Sequence, residues 1–121
     1  MGLDQYAYLK RLKSAKDYKP KDLEIFYWRK HANLNEYMAQ LAVEKGVVTD
    51  ANNFNCKPLF LTKEDIDKLE AVITSNELPH GEGFFWGVSD ERDKARDIEF
   101  IKIARAFLAD EDNQIYYYCW F

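Results

Sequence analysis

Long apolar runs are missing from this 121-residue chain, and so are the paired histidines and cysteines that hold structural metals. No stretch comes near the roughly 18 consecutive apolar residues of a membrane span, and no charged-then-apolar leader opens the sequence. Neither a membrane partner nor a secretory route is expected, and a cytoplasm with reduced thiols is the default setting. Met1-Gly2 starts like a myristoylation signal, but Tyr6 stands where that signal needs Ser or Thr. The two cysteines, Cys56 and Cys119, are too few for a disulfide scaffold. With His31 and His80 they form no C-x-x-C or H-x-x-x-H spacing, so no zinc and no other cofactor is expected. No nucleophile elbow and no phosphate-loop signature occurs.

What is present is an ordinary globular composition, 47% apolar and 31% charged, sufficient for one domain over residues 1–121. The net charge of -4 argues against a nucleic-acid partner, since such proteins carry a basic excess. The acids are interleaved with lysine and arginine, which argues equally against a mimic of DNA. Aromatic residues make up 16%, with eight tyrosines. Tyrosine packs its ring while its hydroxyl stays wet, so it suits half-buried sheet faces and binding surfaces.

The stretch organising the chain is Leu78 to Val88, LPHGEGFFWGV, which holds three of the five glycines. It reads as loop and short strand leading through Ser89 into a helix. Upstream, residues 3 to 9 alternate, with Leu3, Gln5, Ala7 and Leu9 on one side and Asp4, Tyr6 and Tyr8 on the other, a strand pattern. The lysine-rich run from Lys10 to Lys21 reads as a solvated loop, and Glu24 to Arg29 as a second strand. Leu34, Tyr37, Met38 and Leu41 predict an amphipathic helix closed by Gly46. The asparagine-rich Val47 to Pro58 is a loop that could hold a small hairpin.

Leu59 to Leu61 reads as a short strand running into a helix that Thr62 and Asp65 start and Ile66, Leu69 and Ile73 anchor. Ser89 is the expected N-cap of the last helix, with Asp90, Glu91 and Asp93 in its first turn. Ile98, Ile101, Ala104 and Leu108, with Phe100, Ile103 and Phe107 beside them, give that helix a wide apolar arc. Gln114 to Phe121 is an aromatic strand. Strands and helices mix without a regular repeat. The expected fold class is α+β: a four- to five-stranded antiparallel or mixed sheet with three helices mainly on one face.

Two groups of residues could carry function. Tyr116, Tyr118 and Trp120 share one face of the last strand; if Tyr6 and Tyr8 lie on the same open face, they form a platform for a protein partner. Alternatively, Asp93 and Asp97, four apart on the buried side of the last helix, could join His80, Glu82 and Arg29 around a pocket walled by Trp28 and Trp86. Such a pocket would bind a small ligand or nucleotide, or support acid–base chemistry. Simple pairing of one carboxylate with Arg29 is the plainer expectation there. Glycines around His80 are explained by a turn and close packing of Phe84, Phe85 and Trp86.

Met1-Gly2-Leu3-Asp4-Gln5-Tyr6, Tyr27-Trp28-Arg29-Lys30, Gly83-Phe84-Phe85-Trp86-Gly87 and the aromatic terminal strand resemble, in that order, a set of small bacteriophage proteins of cyanophage type. That family has no established activity. The resemblance implies an accessory protein of the bacterial host cytoplasm, with Asp4 and Arg29 as polar exceptions among its shared positions. Both could meet Asp93 and Asp97 in one buried cluster. The expectation is therefore a non-enzymatic protein that docks on a host protein to modulate it, in host takeover or anti-defence. Self-association into a homodimer is the alternative use of the same face.

Overall fold

A computed structural model of the chain describes residues 2–11, 22–81, 89 and 91–121. The strand expected around Trp86, the loop at 12–21 and Glu82 lie outside the described residues. Strand β1 covers Asp4–Arg11, so Lys10 and Arg11 belong to a strand rather than to the expected loop. Strand β2 is Leu23–Arg29, followed by helix α1 at Ala32–Glu44. A single 3-10 turn at Ala51–Asn53, not a hairpin, occupies the asparagine-rich loop. Then come β3 at Leu59–Leu61, α2 at Lys63–Thr74, α3 at Glu91–Leu108 and β4 at Asn113–Trp120.

The four described strands form one antiparallel sheet in the order β2-β1-β4-β3, an α+β fold. The first and last strands are central partners, Asp4 opposite Trp120 and Arg11 opposite Asn113. Period-two alternation then sorts the residues. Leu3, Gln5, Ala7 and Leu9 are buried with Phe26, Trp28, Ile115, Tyr117 and Cys119 beneath the helices, while their neighbours in sequence face away. In β2 the alternation is interrupted at Ile25, because Ala7 pairs with Phe26 and Tyr8 with Glu24, a β-bulge.

Helix α2 starts as its sequence dictates. Thr62 Oγ1 accepts from the Asp65 amide at 3.1 Å, and an Asp65 oxygen accepts from the Thr62 amide at 2.8 Å, a complete capping box. Lys45 donates to the same carboxylate. Burial pushes the Asp65 carboxyl up, but the Lys45 ammonium and the Thr62 donors outweigh it and hold the group below its ordinary value. Gly46 ends the α1 region with φ of +75°, a left-handed conformation that costs glycine little. The buried face of α1 is rotated from the expected stripe: Leu34 and Met38 are buried, but Tyr37 and Leu41 lie at the edge and Asn35 is fully enclosed.

The core is one aromatic-rich cluster. The Trp28 ring packs edge-on to Phe100 with centroids 4.8 Å apart, and Phe54 stacks on Tyr117 at 6.0 Å. From α3, Phe100, Ile101, Ala104 and Leu108 fill the space between sheet and α2.

Candidate functional site

Two regions concentrate polar chemistry, one under the sheet and one on its open face. The buried region begins at the β2–α1 junction. Gln5 clamps the His31 backbone from both sides: its Oε1 accepts from the His31 amide at 2.9 Å and its Nε2 donates to the His31 carbonyl at 3.1 Å. The same Nε2 donates to the Tyr117 hydroxyl at 2.8 Å, which donates to Asn35 Oδ1 at 2.8 Å. The Asn35 Nδ2 is the buried side-chain atom without a partner among the described residues. Removal from water pushes the Tyr117 hydroxyl well above its ordinary pKa, so it stays protonated as a donor.

With its backbone fixed, the His31 ring reaches two other elements. Nε2 lies 2.7 Å from Asp97 Oδ2 on α3, and Nδ1 lies 2.6 Å from Ser89 Oγ. The second Asp97 oxygen accepts from the Trp28 indole at 3.0 Å. His31 is 2% exposed and Asp97 1%, whereas Ser89 is half-buried. Burial raises the Asp97 carboxyl above its ordinary value, and the His31 and Trp28 donors pull it part of the way back. Asp93 Oδ2 stands 3.8 Å from His31 Nδ1. These groups open into a pocket of about 610 Å³ with Ile73 and Leu78 on its wall. At its rim Lys94 donates to Asn76 Oδ1 at 2.9 Å.

The pocket differs from the expected one. Asp93 and Asp97 line it, and Trp28 closes the far side of Asp97. Arg29 does not take part: it is exposed and pairs in register with Asp4, whose Oδ1 accepts from the Tyr27 hydroxyl at 2.6 Å. One step along β2 separates Trp28, pointing in, from Arg29, pointing out, so neither Asp4 nor Arg29 joins Asp97. His80 is exposed and is not among the described lining residues, while Glu82 and Trp86 lie outside the described residues. The partner of Asp97 is His31, which its sequence neighbourhood did not single out.

Ser89 was expected to cap α3. Its hydroxyl is engaged with His31 and also accepts from the Asn33 amide at 3.0 Å, in the first turn of α1. His31, the N-cap residue of that helix, makes no side-chain cap of its own, so a distant serine satisfies the helix start. Gly81 docks at the same place. Its amide donates to Asn33 Oδ1 at 2.9 Å, and a β-carbon there would collide with the Ala32 carbonyl. At Gly81 the need for glycine is close approach to α1; the expected packing of Phe84, Phe85 and Trp86 lies outside the described residues.

On the opposite side of the sheet the tyrosines converge as the alternation predicts. Tyr6 pairs with Tyr118 and Tyr8 with Tyr116 across β1 and β4. Tyr6 stacks on Tyr8 at 5.8 Å and leans on Tyr27 at 5.2 Å, and Tyr8 stacks on Tyr116 at 5.3 Å. Phe60 meets Tyr116 edge-on at 5.2 Å, and Trp120 is 60% exposed at the end of the row. No described helix covers this face. Carboxylates hold its hydroxyls: Tyr27 binds Asp4, and Tyr116 donates to Asp22 at 2.7 Å. The hydrogen bond to Asp4, with lesser help from burial, pushes Tyr27 up to about 12. Burial and then Asp22 raise Tyr116 further.

Comparison with family models, curated proteins and solved structures gives no match for this chain. No described helix is long and apolar enough to cross a membrane, and no described group of histidine, cysteine and acidic residues could hold a metal ion. Both cysteines are free, Cys56 exposed and Cys119 buried.

Proposed function

We propose that the protein acts by docking its open sheet face on a partner protein. The observation that carries this reading is the continuous aromatic row Tyr27, Tyr6, Tyr8, Tyr116 and Phe60, with Tyr118 and Trp120 beside it, on the side of the sheet that no described helix covers. Rings braced against one another across strands are already ordered before binding, so less side-chain entropy is lost when a partner arrives. Tyrosine and tryptophan also dominate the energetic centres of interfaces. The resemblance to small phage proteins makes a bacterial host protein the proposed partner, and modulation of that protein the proposed outcome.

The test is a tagged pull-down from bacterial lysate with salt washes, run beside Tyr118→Ala. A single partner retained in near-stoichiometric amount by the wild type and lost by the variant is expected. A variant that folds and still retains the partner would move the interface elsewhere. Light scattering of the purified protein checks the alternative occupant, a second copy. A dimer that Tyr118→Ala dissociates would replace the host partner with the chain itself.

A further inference from the structure

The buried polar chain under the sheet has a direction. Ser89 Oγ already accepts a hydrogen from the Asn33 amide, so its own proton is available to donate. Asp97 accepts on both oxygens, from the Trp28 indole and from His31 Nε2. With Nε2 carrying the hydrogen toward Asp97, the lone pair on Nδ1 faces Ser89 Oγ at 2.6 Å. Donor and acceptor roles therefore run one way, from serine to histidine to aspartate. That is the order of a nucleophile, its base and the group that orients the base.

We propose that Ser89, His31 and Asp97 constitute an acyl-transfer site that hydrolyses small carboxylic esters in the adjoining pocket. In the first step the Ser89 oxygen adds to the ester carbonyl carbon while its proton passes to His31 Nδ1. The bond from that carbon to the alkoxy oxygen then breaks, and the alcohol leaves with the proton from His31. Water next adds to the acyl-serine carbon and gives one proton to His31. The carbon–Oγ bond breaks, the serine recovers the proton and the carboxylic acid departs. No oxidant, metal or further reactant enters the balance.

Each supporting residue has a defined part. Asp97, fixed by Trp28, holds the imidazole in the required tautomer. Asp93, 3.8 Å from Nδ1, favours the imidazolium formed when the proton arrives. Gln5 fixes the histidine backbone, so the ring needs no reorganisation. The start of α1 directs the Asn33 amide at Ser89 Oγ and favours negative charge there. Ile73 and Leu78 give the pocket an apolar wall for a short acyl chain, and its volume of about 610 Å³ suits a small molecule.

This activity is independent of the docking face, and its test does not involve a partner. The purified full chain is incubated with p-nitrophenyl acetate, and separately with a fluorophosphonate probe followed by intact-mass measurement and peptide mapping. Expected is one covalent adduct, mapped to Ser89, and ester hydrolysis that falls about 100-fold or more in Ser89→Ala. Ser89→Cys, which keeps a hydrogen-bonding nucleophile of similar shape, should retain burst release of p-nitrophenol. Circular dichroism of each variant separates lost chemistry from lost structure. If Ser89→Ala does not fold, adduct mapping on the wild type decides alone. A folded wild type that takes no label, labels at another residue, or hydrolyses no faster than folded Ser89→Ala would overturn the proposal and leave the chain of bonds as a brace.

Discussion

Tyr117 and Tyr118 are neighbours in sequence and opposites in every other respect. The first is wholly enclosed, its hydroxyl giving to Asn35 and taking from Gln5. The second lies on the outer side with its ring near Tyr8, 6.4 Å between centroids. The same contrast runs along the whole sheet. Polar groups on the covered side are few and, Asn35 Nδ2 apart, pinned by named partners, because a buried group left unpaired costs about 1–3 kcal/mol. On the other side the hydroxyls of Tyr27 and Tyr116 are held by the surface carboxylates of Asp4 and Asp22, and the rings brace one another. A single step of the pleat therefore separates positions that specify the fold from positions on the face that no described helix covers.

Substitutions can break that contrast from its strongest side first. Ile101→Ala removes a 1%-exposed side chain between α3 and the sheet and should cost about 2–5 kcal/mol, read by denaturant unfolding. An unchanged midpoint would mean that α3 does not pack as described. Next in size, Tyr117→Phe should cost about 1–3 kcal/mol by leaving Asn35 Oδ1 and one Gln5 hydrogen bond unmet. Tyr118→Phe should change stability by less than about 0.5 kcal/mol. Equal losses in the two variants would erase the distinction between the faces.

Smaller effects come from the ionisable groups. Asp65→Asn removes a capping and ion-pair acceptor and should cost about 1 kcal/mol. The Asp65 carboxyl is depressed in the folded chain, so its contribution is present above about pH 4 and lost as pH falls through the folded value. The variant should accordingly show a flatter loss of stability in acid than the wild type. The smallest effect is alkaline. Tyr27, raised to about 12 by Asp4, adds stability below about pH 10 that disappears as pH climbs toward 12. Ultraviolet titration should show Tyr27 ionising late along with Tyr116 and Tyr117, and Asp4→Asn should move one of these late tyrosines back toward the ordinary range.

The fold class and the sorting of residues onto two sheet faces, though not which face stays open, were legible because alternation in β1 and β4 and the Thr62–Asp65 box are local patterns. The tyrosine row needed one further fact, the register that sets Tyr6 beside Tyr118, which lies 112 positions away along the chain. The buried site was half legible. Asp97 follows from its place on the apolar stripe of α3, but its partner does not. His31, Ser89 and Asp97 come from a strand–helix junction, a loop end and a helix, with no shared spacing to betray them. Arg29 seemed the natural counter-ion by charge, yet alternation next to Trp28 assigns it to the other side. Gln5 offered a signal that could have been used: an amide in an otherwise apolar inward set must find buried partners.

The bulge at Ile25 bears on how this chain behaves in a crowd. A sheet grows into fibrils by adding strands at its edges, and among the described strands the two edges are β2 and β3. β3 is three residues long, too short to template a neighbour, and the extra residue in β2 breaks the flat ladder that an incoming strand would need. Edge-to-edge polymerisation is thus discouraged at both of these described strands. Clumping of the concentrated protein would start from the aromatic face, and a polar residue at the exposed Trp120 is the change that should suppress it.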